Sequence, residues 1–526
     1  MRVLGISPSH DSSVAVYSNG QIEFFGKEER FTGYKRDAYP FMALEKVYDL
    51  FKGKIDHATY SWRPDDCHRF EIFHAYLHKR FKLTMAYPPQ SGHHLNHAAL
   101  AFYNSGFKEA LTFVIDHNGS WNKNNERESE TVFECSYPNT FKPLYKNYWG
   151  HGIPTFGIVR VYEAATTLIG QGALENGKTM GLASYGKNKK YDKLFVGHKA
   201  LHDKFEEIND QWGSAIFKGQ KDKIEKDITL LNYQFYADAA KHVQIETQKA
   251  AFSLIKKYVK KTGIKNICLV GGYALNIVAN SFFIKNLPDC KFYIEPVSDD
   301  TGTSLGAAML LYRYFTKDKN IYDVPNNFYH YYKNSKEQYG AKKSIKDLCS
   351  ILNNQKIVAI FEGAPESGQR ALGHRSLLFD PRNVQGKRIV NSLKNREWYR
   401  PFAGVILKEK FKEYFETLGV EESPHMVLNF KCKPIMKKNF PAIVHVDNTC
   451  RVQTIDKGFL YDLLKEFYKK TGCPFLLNTS FNLAGKPLIQ TKKEAVEFVK
   501  TSNNPSLEGV FFVEDKKLFK KKTEGV

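Results

Sequence analysis

Three histidines fall within five consecutive residues, at His93, His94 and His97. On a helix, His93 and His97 project from one face about a turn apart. Two imidazoles so placed can share one metal ion, with a carboxylate from elsewhere completing the site. Asp116, which ends the apolar run Leu111 to Ile115, is one candidate. Asp300, just before a glycine-initiated helix, is another. Surface or capping histidines would satisfy the same spacing, but carboxylates at strand ends favour a metal. His94 is then spare and can face a substrate. No Glu follows the first histidine, as it does in metalloprotease helices.

Four further segments can carry chemistry. The loop Ser7-Pro8-Ser9-His10-Asp11-Ser12-Ser13 can cradle a phosphate with backbone N–H groups and hydroxyls. His10 in it can act as general base on an acceptor hydroxyl, while a polar hairpin with Asp11 satisfying backbone donors carries equal weight. Leu269 to Asn276 reads as a strand, a Gly271-Gly272 turn and a helix start, where a nucleotide phosphate can approach the backbone. Lys178, among small residues in Gly177 to Gly186, can line the same cleft. The C-terminal part gathers Arg370 and Arg375, then Lys394, Arg396 and Arg400, then His445 and Arg451. There the strand-like Leu476 to Asn482 ends in Asn478, Ser480 and Asn482. Arginines with amides and hydroxyls at strand ends suit a phosphate-bearing substrate.

The elements that must hold these residues alternate between strand and helix, which predicts an α/β fold. Strands are expected at Val3 to Ser7, Ser13 to Tyr17 and Gln21 to Phe25, with a tight turn at Asn19-Gly20. A second hairpin runs from Leu111 to Ile115 and back through Thr131 to Cys135. Helices are expected over Ala43 to Phe51, His97 to Tyr103, Ala239 to Lys261 and Gly302 to Tyr312. Buried strands are expected at Asn266 to Val270, Phe292 to Glu295 and Ile357 to Phe361. A polar, aromatic linker from about Asn320 to Ser344 separates two domains, and the basic tail from Lys516 is expected to fray.

The 526 residues are too many for one ordinary core, and their 42% hydrophobic and 25% charged content is the balance of a globular protein. No stretch approaches the uncharged apolar length needed to cross a bilayer. No secretory signal is expected, and scattered cysteines such as Cys67, Cys135, Cys268, Cys349 and Cys473, without a C-x-x-C pair, fit reduced cytoplasmic thiols. The net charge of +21 is dispersed over the chain. Compositional drift accounts for it, although a nucleotide or nucleic-acid partner stays open.

Read in order, GISPSHDSS, EERFTGYKRD, HHLNHA, VIDHNGSW, GKTMGLASYG, LVGGYALN, SDDTGTSLGAA, GQRALGHRS, NREWYRPF, HVDNTCRVQT and NTSFN resemble the NodU/TobZ-type O-carbamoyltransferases over nearly the whole chain. The resemblance implies an actin-like ATPase (ASKHA) domain over 1–330, shared with tRNA threonylcarbamoyl-transfer enzymes, and an α/β YrdC-like domain over 345–526. It implies that ATP, with Mg2+, and carbamoyl phosphate form a carbamoyl-adenylate whose carbamoyl group passes to an acceptor hydroxyl. Metal ligands then fall on His93, His97, Asp116 and Asp300, with one divalent ion, iron(II), expected. Catalytic roles fall on His10 and Lys35, and nucleotide contacts on Lys178, Gly271, Gly272 and Asn276. Carbamoyl phosphate falls to Arg370, Arg375, Lys394, Arg400, Arg451, Asn478, Ser480 and Asn482. Expected partners are the acceptor (a small molecule, sugar, nucleotide or nucleic acid) and a second copy in a homodimer, with no membrane. The alternative is an ASKHA-fold ATPase or kinase, or a tRNA threonylcarbamoyl-transfer-like enzyme. The chain departs from the family at Ser367-Gly368-Gln369-Arg370 (Phe-Gly-Pro-Arg), at His374 (often Asn), and at Ser120, which replaces the acid of Asp-Gly-x-Gly-Glu.

Overall fold

Apolar runs buried on both faces make central strands, and the chain builds three large sheets from them. The computed structural model describes residues 1–521 except 63–70, 151–155, 209–213, 226 and 323–341. Most of the expected linker, Cys67 and the end of the basic tail therefore lie outside the described residues. Two compact units emerge: Met1–Glu28 with Arg36–Pro325, and Glu29–Lys35 with Asn326–Val526.

The first unit opens with β1 (Val3–Ser7), β2 (Ser13–Ser18), β3 (Gln21–Lys27) and β4 (His57–Tyr60), in the order β3-β2-β1-β4. The β2–β3 turn has positive φ at both Asn19 (48°) and Gly20 (77°), as a two-residue hairpin requires. Next come β5 (Glu109–Ile115), β6 (Arg127–Ser136) and β7 (Thr140–Trp149). The short pairs β8 (Phe195–Val196) with β9 (Lys199–Ala200) and β10 (Phe205–Glu207) with β11 (Ala215–Phe217) follow, then β12 (Asn266–Val270) and β13 (Lys291–Ile294). The second large sheet runs β13-β12-β5-β6-β7. Both large sheets of this unit thus have an antiparallel three-strand meander whose first strand pairs in parallel with a later one, β1 with β4 and β5 with β12. The two sheets repeat one arrangement. Strand β7 was not expected; Pro143 and its lysines break the apolar alternation, which an edge position tolerates.

The helix His93–Ser105, hereafter the histidine helix, starts four residues earlier than periodicity predicts and is buried from His93 to Asn104. It packs against the helix Thr303–Thr316 and against β5 and β12. Gly306 makes that crossing possible, because a Cβ there would stand 1.8 Å from the carbonyl oxygen of Asn96.

The second unit has one mixed nine-stranded sheet. Its strands are β14 (Ile357–Phe361), β15 (Arg375–Phe379), β16 (Ala403–Leu407), β17 (Phe415–Glu416), β18 (Asn429–Cys432), β19 (Thr449–Ile455), β20 (Phe475–Ser480), β21 (Leu507–Phe512) and β22 (Lys517–Lys520). They run in the order β17-β18-β19-β16-β20-β15-β14-β21-β22. The register sets Ala403 between Arg451 on one side and Asn478 on the other, and pairs Ser480 with Ser376. That brings distant basic and polar residues to one end of the sheet.

Candidate functional site

In the first unit, Asp116 follows β5 and Asp300 follows β13, beyond the carboxyl ends of parallel strands, where α/β folds commonly bind ligands. The first turn of the histidine helix is directed at the same point. His93 and His97 are fully buried, with their Nε2 atoms 3.2 Å apart. His93 Nε2 stands 3.4 Å from Asp116 Oδ2 and 3.2 Å from Asp300 Oδ1. His97 Nε2 stands 3.6 Å from each of those oxygens. One ligand atom from each residue lies within 4.8 Å of every other.

The charges reinforce one another. Burial alone would lower the pKa of His93, but Asp300 and Asp116 outweigh it and push it up to about 10. His97 is raised in the same way, against burial, by bonds to Asp116 and Asp300. Burial raises both carboxyls, yet the two histidines hold Asp116 and Asp300 below the usual carboxylate range. His94 points elsewhere: its Nδ1 lies 2.8 Å from Thr131 Oγ1, and burial pushes it down to about 4, leaving it neutral.

His10 joins this cluster. Its Nε2 is 3.9 Å from Asp300 Oδ2 and its Nδ1 is 3.0 Å from Asp11. Burial opposes the charged form, but Asp11 and Asp300 raise its pKa to about 9. Ser7 and Ser13, at either end of the loop, donate hydroxyls to the carbonyls of Asp300 and Thr301 at 3.2 and 2.7 Å. The loop is therefore tied to the Asp300 turn.

The expected nucleotide residues are differently engaged. Gly271 has φ 89°, and a Cβ on it would stand 2.5 Å from the Ile115 carbonyl oxygen. The N–H of Gly272 donates to Asp116 Oδ1 at 2.9 Å, so this turn aims a carboxylate where a phosphate was expected. Asn276 exchanges hydrogen bonds with Gln244 and caps the helix Ile277–Asn286 through Ala279 N–H. Lys178 donates to Gln171 and Glu175.

The second unit gathers cations. Lys394 is buried at the end of the helix Gly386–Lys394, and its Nζ donates to the carbonyls of Ser480 and Asn482 and to both of their side chains. Burial, with Arg396, Arg400 and Lys35, drives its pKa well down. Burial with Arg370 and Arg400 lowers Arg451 strongly. Burial with Arg400 lowers Arg396 to about 10, against Glu397. Arg396 belonged to a recognised basic run but was not among the expected carbamoyl-phosphate residues; its guanidinium lies 3.5 Å from Thr479 Oγ1 and Ser480 Oγ.

Three of the expected residues have partners within the second unit. Lys35, grouped with His10 as catalytic, belongs to the second unit, where its charge acts on Lys394. Arg375, expected on carbamoyl phosphate, is stacked on Phe361 and donates to the carbonyls of Ile489, Glu362, His374 and Gly363. That guanidinium is a buried staple between loops. Asn478 spends its Nδ2 on Ala371 O and Gln453 Oε1, holding the Arg370 loop instead of presenting a donor. Glu366 went unnoticed in the sequence: its Oε1 accepts the N–H groups of Leu372, His374 and Arg375 at 2.7, 2.9 and 3.2 Å. A lone acid amid glycine and serine carries no spacing signal.

Two family models match this chain: "Carbamoyltransferase N-terminus" over residues 66–309 and "Carbamoyltransferase C-terminus" over residues 349–510. The chain belongs to the NodU/NolO-type carbamoyltransferase family. It is similar to Nodulation protein NolO of Bradyrhizobium diazoefficiens, at 28% identity over 80% of this chain and 78% of that one. An uncharacterized protein of Synechocystis sp. is 27% identical over 94% of this chain and 93% of its own length. Among solved structures, HypF of T. kodakarensis aligns at 14% identity and a TM-score of 0.36, over 60% of this chain and 48% of that one.

A carbamoyltransferase with this donor set fits a resident divalent ion. Two buried imidazole nitrogens converge at 3.2 Å with a carboxylate oxygen from each side, a mixed N/O set that suits first-row transition metals. Among the described residues no helix is long and apolar enough to cross a membrane.

Proposed function

We propose that this carbamoyltransferase is ATP-dependent and works in two steps on an acceptor hydroxyl. The domain over 345–526 would form carbamoyl-adenylate from carbamoyl phosphate and Mg-ATP, consuming water and releasing phosphate and pyrophosphate. The domain over 1–330 would pass the carbamoyl group to the acceptor and release AMP. The observation that carries this reading is the collection of Arg370, Lys394, Arg396, Arg400 and Arg451 in one electrostatic group, with Glu397 the acid acting on it. So much like charge at low exposure is unfavourable unless an anion neutralises it. Phosphate groups answer that need, and the same cations would stabilise charge building on a leaving phosphate.

In the N-terminal domain, His93, His97, Asp116 and Asp300 would hold iron(II) or another divalent ion, which when bound supplies a Lewis acid toward phosphate oxygens. His10, held by Asp11, is kept protonated at neutral pH by Asp11 and Asp300. It would take the proton from the acceptor hydroxyl once Asp300 is neutralised by a bound cation and the His10 pKa falls. Ser7 and Ser13 would keep the His10 loop in place during transfer.

Incubating the full chain with ATP, carbamoyl phosphate and a panel of hydroxyl acceptors tests the reading. AMP and pyrophosphate should accumulate, and one acceptor should gain a carbamoyl group by mass spectrometry. ADP formed without any need for carbamoyl phosphate would replace this reading with an ATPase or kinase. A nucleic-acid acceptor, suggested by the +21 charge, should bind with steep salt dependence.

A further inference from the structure

Among the described residues, no protein group accepts a hydrogen bond from the far side of either histidine ring. Metal-ligating imidazoles ordinarily donate their second N–H to a carboxylate, carbonyl or water, which fixes the ring. Here the Nδ1 atoms of both His93 and His97 are buried and meet no hydrogen-bond partner among the described residues. The aim of the two rings therefore falls to the position of the helix that carries them. Trp62 lies beside the His93 ring at 4.5 Å, but ring packing restrains an axial shift of the helix poorly.

The first turn of the histidine helix also lacks a capping side chain of its own, because its N-cap is Gly92. The buried N–H of His93 is instead taken by Ser120 Oγ at 3.0 Å. Ser120 is fully buried and lies four residues beyond Asp116. Its own N–H donates to Glu128 Oε2 at 3.2 Å, and its carbonyl accepts the Glu128 N–H at 3.1 Å. The Asp116 N–H donates to the Ser129 carbonyl at 2.9 Å, so the Asp116–Ser120 loop is anchored at both ends on β6.

We propose that Ser120 is the positioning residue of this centre: its hydroxyl caps the histidine helix from the Asp116 loop and thereby sets His93 and His97 in register with Asp116. The inference rests on the proposed metal role of the four-residue cluster. It gives a role to a fully buried serine beside Glu128. A carboxylate there would crowd against Glu128, whereas a serine leaves one short acceptor for one N–H. The opposite side of the helix is registered differently, by the close approach of Gly306 to Asn96. One contact fixes the helix to the loop of Asp116, the other to the helix that follows Asp300.

Cobalt(II) titration of the full chain tests this, read by d–d absorption and by competition with a chelator. The wild-type chain should bind one equivalent. Ser120→Ala should bind about 10–100-fold more weakly and with an altered d–d band, the usual size of an orienting-residue loss. Ser120→Thr, which keeps the acceptor oxygen, should recover most of the affinity and the wild-type band. Thermal unfolding of the metal-free variants separates the roles. A merely structural serine would lower the metal-free midpoint while cobalt affinity and spectrum stayed wild-type, and that result overturns the proposal. Ser120→Thr behaving no better than Ser120→Ala would also overturn it. A wild-type chain that takes up no cobalt would remove the metal reading and this inference together. Tight wild-type binding with an unaffected Ser120→Ala removes only the inference.

Discussion

His93 and His97 present their Nε2 atoms to each other at 3.2 Å, fully buried, with the carboxylates of Asp116 and Asp300 closing the other sides. Without an ion, protonated imidazoles balance the charge of the two carboxylates, and the pKa directions run that way. The histidines are raised and the aspartates lowered.

Removing one ligand should unmake the centre. His93→Ala is expected to weaken divalent-metal affinity by at least about 100-fold and to abolish carbamoyl transfer. Elemental analysis after dialysis, alongside activity, checks this. An unchanged metal content would show that the cluster is a buried hydrogen-bonded network and nothing more.

Metal binding should release protons. His10 and His93 have folded pKa values near 9 and 10, above the ordinary value of 6.5. A raised folded pKa stabilises the metal-free protein fully below about pH 6.5, and that contribution is lost as pH rises through about 9 to 10. The metal-free melting temperature should therefore fall across that window. At neutral pH an entering ion must displace protons, so affinity should rise with pH. Calorimetry in buffers of different ionisation enthalpy measures the release, and a pH-independent affinity would contradict it.

Arg375 and Arg396 should separate stability from binding. Arg375→Lys cannot reproduce the guanidinium's bonds to four backbone carbonyls and should cost on the order of 3 kcal/mol of stability. Arg396→Ala should leave the fold near wild-type stability and remove most of the thermal shift produced by carbamoyl phosphate. Denaturant melts with and without that ligand distinguish the two. An Arg375→Lys protein of wild-type stability would refute its role as a staple.

Gly306 should tolerate no side chain. A Cβ meeting the Asn96 carbonyl oxygen at 1.8 Å must push the histidine helix away from the Asp300 helix. Gly306→Ala is expected to destabilise by about 1–3 kcal/mol and to weaken metal binding in parallel. Equal melting temperatures for the two proteins would count against this close crossing.

The sequence by itself determined the α/β character and both N-terminal hairpins, and it offered His93, His97, Asp116 and Asp300 as the candidates that the fold brings together. Those features have local physical signatures: apolar runs of strand length, an Asn-Gly turn, and histidines spaced one helical turn apart. The same local logic suggested a phosphate at Gly271-Gly272 and a phosphate-bearing substrate among the arginines; in the fold the Gly272 N–H donates to Asp116 and the Arg375 guanidinium to four carbonyls. A donor's type is written in the chain, but the acceptor that uses it is decided by which backbone carbonyl or carboxylate packs opposite. Lys35 entered the second unit, and Ser120 became a helix cap, for the same reason. Tertiary structure alone decided how each polar group was spent, because burial leaves every donor and acceptor to find its partner across long sequence distances.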